Sequence, residues 1–77
     1  MSTMDDLQDL ADLIKSGRAR QLRESAGISA SNLARELEVT TAAVIRWESG
    51  TRKPQGANAR RYARALHRLA AREAAAS

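Results

Sequence analysis

The sequence predicts an all-α protein, a compact bundle of four to five helices, and three features point there. Apolar residues recur three and four apart, as in Leu7, Leu10, Ala11 and Ile14, and again in Ala59, Tyr62, Ala63, Leu66, Leu69 and Ala70. Ala is abundant while Phe is absent and Trp and Tyr occur once each, a composition for close-packed helices and against a sheet. Gly17, Gly27, Gly50 and Pro54 punctuate these runs where helices would stop. The 77 residues make one domain with a modest core.

Each element has its own signal. Met4 to Lys15 places its apolar stripe opposite four Asp, with Ser2 or Thr3 as caps, and the early carboxylates suit the positive end of the helix dipole. Ser16-Gly17 either breaks the chain or lies inside one longer helix. Arg18 to Ala26 turns Ala19 and Leu22 inward and is stopped by Gly27. Ala30 to Leu37 starts at the cap Ser29 and buries Leu33, Ala34 and Leu37. Thr41 to Ser49 starts at Thr40, buries Val44 and Trp47, and ends at Gly50. Residues 50–55 form a loop around Pro54. The last helix runs from Gly56 or Ala57 to about Glu73, and Ala74 to Ser77 form a frayed tail. This divides the chain into an acidic extension (1–16), a body (17–73) and a tail (74–77).

Charge and composition narrow the function. Without Cys there are no disulfides or thiolate ligands, a single His cannot hold a metal, and a reducing cytoplasm is the expected location. No apolar run approaches the ~20 residues that span a bilayer, and the acidic start is unlike a signal peptide. The first fourteen residues carry all four Asp and no cation, whereas the rest sets 13 Lys and Arg against five Glu, a net of +8. A basic body of this kind suits a polyanion. No Ser–His–acid set or phosphate-cradling glycine loop is present, so no enzyme and no cofactor is expected.

The most informative stretch is Ser29 to Pro54. Two short amphipathic helices, each with its own cap, are joined by little more than Glu38 and Val39. That is a helix-turn-helix arrangement, in which the second helix has one buried face and one free to enter a DNA groove. The stretch resembles the Cro/repressor type of helix-turn-helix family, with the likeness running from about Ala19 to Leu69. In the family's core, here Ala30 to Ser49, Ala34 matches the small residue where the helices cross. Val44 matches the β-branched residue beneath it, and Trp47 the large apolar residue that follows. Trp47-Glu48-Ser49-Gly50-Thr51-Arg52-Lys53-Pro54 resembles the family's tail. Glu38 departs from the pattern, because the turn usually has glycine there. A left-handed backbone at Glu38 would cost about 1 kcal/mol against Gly. The resemblance implies a lambda-repressor-like bundle, and it implies that Arg23 and Glu48 form a structural pair from the first helix to the end of the recognition helix, partly buried.

Burying Val44 and Trp47 turns Thr41, Ala42, Ile45 and Arg46 outward, at about 100° per residue. Arg46 alone carries a donor fork able to read guanine O6 and N7, Thr41 can bond a base edge or phosphate, and Ala42 and Ile45 can pack on thymine methyls. The family's base-contacting positions coincide with these four. Ser29, Ala30 and Asn32 open the preceding helix, whose N-terminus suits a phosphate. Ser49, Thr51, Arg52 and Lys53 form a loop suited to clamping the DNA backbone. Arg60, Arg61, Arg64, Arg68 and Arg72 make a basic stripe on the last helix. Within it Arg60 and Arg61 are candidates for phosphate contact, others could pair with the acidic helix, and His67 is expected to be exposed.

The reading is therefore a sequence-specific DNA-binding regulator, a Cro-like repressor of phage or bacterial kind. Its partner would be a double-stranded DNA operator, bound as a homodimer formed in solution or only on DNA. Competing readings are an antitoxin-like or adaptor module that binds protein, and an architectural accessory to recombination.

Overall fold

The computed structural model describes residues 3–76, with side chains from Asp9 onward. It consists of α1 (Thr3–Lys15), α2 (Arg18–Ser25), α3 (Ala30–Leu37), α4 (Thr41–Ser49) and α5 (Gly56–Ala76). No strand occurs among the described residues, in agreement with the all-α expectation. The expected cap Ser2 and the packing of Leu7 lie outside the described residues.

Ser16-Gly17 does break the chain. Gly17 has φ 81° and ψ 0°, a left-handed conformation that is free of penalty only without a Cβ. The Ser16 hydroxyl spans the corner, donating to the Leu13 carbonyl at 3.2 Å and accepting from the Arg18 N–H at 3.3 Å. The ends of α2 and α3 share one hydrogen-bond pattern. Ile28 N–H donates to the Arg23 carbonyl and Gly27 N–H to Glu24, while Val39 N–H donates to Ala34 and Glu38 N–H to Arg35. In both, a left-handed residue reverses the chain and satisfies carbonyls that the helix leaves open.

At the end of α3 that residue is Glu38, with φ 60° and ψ 41°, the one non-glycine of positive φ among the described residues. Its carboxylate lies 3.8 Å from Arg61, but both side chains are well exposed, so the pair contributes little. Glu38→Gly is therefore expected to stabilise the fold by about 0.5–1 kcal/mol, raising Tm by roughly 3–6 °C. A melting curve that stays put or moves down would mean that the turn carries no strain at this residue.

The core lies around α5, against which α1, α2 and α3 pack, while α3 and α4 pack on each other. Leu22, Leu33, Val44, Tyr62 and Leu66 are enclosed, and the Trp47 ring meets Tyr62 at 5.1 Å between centroids, tilted by 39°. The inner face of α5 is broader than one stripe, since Ala65 is buried beside the expected residues. A helix flanked by three others buries more than a single row. His67 is half-buried for the same reason, whereas its place in the basic stripe predicts exposure. α5 also continues to Ala76, beyond the expected end near Glu73. Its last residues are alanines of high helix propensity, and Arg18 at the start of α2 holds Glu73 at 2.6 Å.

α1 is anchored by buried Leu10, with Leu13 and Ile14 partly covered against the same core. Full burial of one Leu stabilises by roughly 1.5–3 kcal/mol, more than any exposed ion pair contributes. Asp9 and Asp12 are exposed and form no ion pair among the described residues; Arg68 instead meets Glu36 of α3 at 3.0 Å.

Candidate nucleic-acid interface

α3 and α4 are both capped by the side chain that precedes them. Ser29 Oγ accepts from the Asn32 N–H and Thr40 Oγ1 from the Ala43 N–H, each at 3.0 Å. With the first hydroxyl used in this way, Ser29 presents backbone more than side chain to a ligand. Ala30 is half-buried against the core, and Asn32 is exposed.

α4 buries Val44 and Trp47 completely or nearly so, which fixes its rotation about its own axis. Thr41, Ala42, Ile45 and Arg46 accordingly face solvent. Ile45 is 52% exposed, the one large hydrophobic residue left uncovered among those described. At the end of α4 the chain turns back through Gly50, with φ 77°, and Arg52 N–H donates to the Arg46 carbonyl at 3.2 Å. Ser49 Oγ donates to that same carbonyl at 3.1 Å and lies 2.8 Å from Thr51 Oγ1. These bonds tie the loop to the helix and leave Arg52 and Lys53 exposed, without an ion pair among the described residues.

The rotation of α4 is secured from behind by Arg23 and Glu48. Arg23 Nε and Nη2 donate to the two Glu48 carboxylate oxygens at 2.6 and 3.0 Å, and Nη1 donates to the Ile28 carbonyl at 2.9 Å. The two side chains are only 11% and 6% exposed. The hydrogen bond to Glu48 raises the Arg23 pKa above its ordinary value, against the opposing effect of desolvation. One guanidinium thus joins α2, the entry to α3 and the end of α4. Nearby, burial raises the Tyr62 hydroxyl well above the usual phenol range, with the Glu48 charge adding to the effect.

Glu48 points inward, so the outward side of α4 carries no carboxylate, and Arg46, Arg52 and Lys53 are exposed cations of α4 and its loop. A groove of about 510 Å³ opens between α4 and the loop, lined by Ala43, Asn58 and Gln55 among others. Asn58 was not anticipated from sequence, where a single amide at a helix start has no distinguishing signal. The other α5 candidates lie differently: Arg60 is exposed, and Arg61 is drawn toward Glu38 at the turn.

The helix-turn-helix family profile matches residues 20–69, which cover most of α2, all of α3 and α4, and most of α5. The chain belongs to the Cro/repressor-type helix-turn-helix family. Comparison with curated proteins and with solved structures yields no significant match. Membership of this family carries DNA binding with it, since the helix-turn-helix here is a DNA-binding regulatory domain and not an enzyme family. Among the described residues, no helix is long and apolar enough to cross a membrane.

Proposed function

We propose that this helix-turn-helix chain is a cytoplasmic, sequence-specific transcriptional regulator, a Cro-like repressor that inserts α4 into the major groove of an operator. Support comes above all from Ile45 and Arg46, exposed side by side on a helix held rigidly from its other face. In this reading Arg46 reads guanine, Ile45 and Ala42 pack on thymine methyls, and Thr41 bonds a base edge or phosphate. The start of α3, through Ser29, Ala30 and Asn32, and the loop residues Ser49, Thr51, Arg52 and Lys53 hold the backbone, with Arg60 and Arg61 adding long-range attraction. One such helix covers only a few base pairs, so nanomolar affinity calls for two copies on half-sites about one helical turn apart. Residues 17–73 form the binding domain, and 1–16 an acidic extension that keeps its carboxylates away from phosphate.

Selection of bound sequences from random DNA, repeated with Arg46→Ala, tests this assignment. The variant is expected to lose about 1–3 kcal/mol of specific binding and its preference at one base pair, while nonspecific binding is nearly unchanged. Arg52→Ala serves as the contrast, weakening all sequences alike and lowering the salt slope by about one unit. Unaltered base preference in Arg46→Ala would remove Arg46 as the reader.

A further inference from the structure

A groove of about 760 Å³ adjoins the loop beside α1 and shares Arg52, Lys53, Pro54 and Gln55 with the Ala43–Asn58 groove. Leu10, Ala11 and Ile14 of α1 form one wall, and Pro54 and Ala59 the other. Its rim carries Lys15, Arg52 and Lys53, and no carboxylate lines it among the described residues. Gly50 and Gly56 line it without any side chain to fill the space. Apolar walls of this size with a single sign of charge along the rim match the face of an amphipathic helix with acidic flanks. We propose that this groove is a docking site for an acidic amphipathic helix of a partner protein, which on binding covers Arg52 and Lys53.

Charge complementarity decides the occupant. Acidic flanks meet Lys15, Arg52 and Lys53 with no carboxylate in the lining among the described residues, whereas a basic helix would face like charge there. A second copy of this chain fits less well. Its own acidic segment is α1, already a wall of the groove, and a two-fold pairing there sets acidic α1 against acidic α1. The regulatory consequence rests on the DNA-binding reading: a helix seated here takes the two loop cations that would hold phosphate, so partner and DNA compete.

The test uses the full chain and two synthetic helical peptides of about four turns. One combines a Leu stripe at three- and four-residue spacing with Glu flanks; the other has Lys in place of every Glu. In an NMR titration the Glu peptide is expected to shift the amides of Leu10, Ala11, Ile14 and Ala59 saturably, binding at least about tenfold tighter than the Lys peptide. Ala11→Glu, a change at an exposed position, is expected to weaken the Glu peptide by about tenfold or more without moving the melting temperature. The proposal is overturned by no saturation up to about 1 mM, by equal binding of both peptides, or by shifts confined to α4. It is equally overturned if the protein without peptide doubles in mass with concentration and Ala11→Glu abolishes that doubling, since a second copy then fills the groove. These readouts need no DNA, so their failure is separate from failure of the regulator assignment. A final competition assay, with the Glu peptide displacing operator DNA, tests the link between them.

Discussion

Trp47→Ala is expected to leave the chain unfolded, or nearly so, at room temperature. Trp47 is the only Trp, is 4% exposed, and joins α4 to α5 through its tilted contact with Tyr62. Truncating a buried Trp costs about 3–5 kcal/mol, and a domain of this size has about 5–10 kcal/mol in total. No disulfide or metal ligand set among the described residues can make good the loss. Circular dichroism against temperature measures it directly. A variant that melts like wild type yet has lost DNA binding would place the indole on the recognition surface and overturn the rotation of α4 described above.

Glu48→Ala comes second in expected effect, at about 3–5 kcal/mol. The substitution leaves the Arg23 guanidinium almost enclosed, with the Ile28 carbonyl as its remaining protein acceptor. An unpaired buried charge is far costlier than the pair is stabilising, because the attraction within a buried pair is largely offset by desolvation of both ions. The double variant Arg23→Met with Glu48→Leu is therefore expected to recover most of the stability lost by Glu48→Ala. Urea melts of the two variants separate these effects. If the single change costs less than about 1 kcal/mol, the pair behaves as an exposed one and does not set the register of α4.

Much of this architecture was legible in the chain because it is written in local signals. Caps at Ser29 and Thr40, stops at Gly27 and Gly50, and the spacing of Val44 and Trp47 are each decided within one or two turns. The Arg23–Glu48 pair was legible only through family resemblance, since nothing local links residues 25 apart in sequence. Its third partner, the Ile28 carbonyl, was not legible at all, because a backbone acceptor has no side-chain signature. Long cations on α5 posed the same difficulty. Opposite charges exist on both α1 and α3, and only the packing of helices assigns Arg68 to Glu36. The width of the α5 inner face, with Ala65 buried and His67 half-covered, likewise follows from how many helices surround it and not from its periodicity. The groove beside α1 was invisible for a related reason: it is bounded by residues from α1, the loop and α5 that are remote in sequence.

The place of α5 has a consequence for how the molecule opens. α1, α2 and α3 all rest on it, and α4 reaches it through Trp47 and Tyr62. No pair of the shorter helices retains a closed apolar core once α5 departs, so these parts lack an independent folded state and must melt together. Among its described side chains, α1 joins this core through buried Leu10, with Leu13 and Ile14 partly covered. The amides of Tyr62 to Leu66 are accordingly expected to exchange with solvent only through global opening.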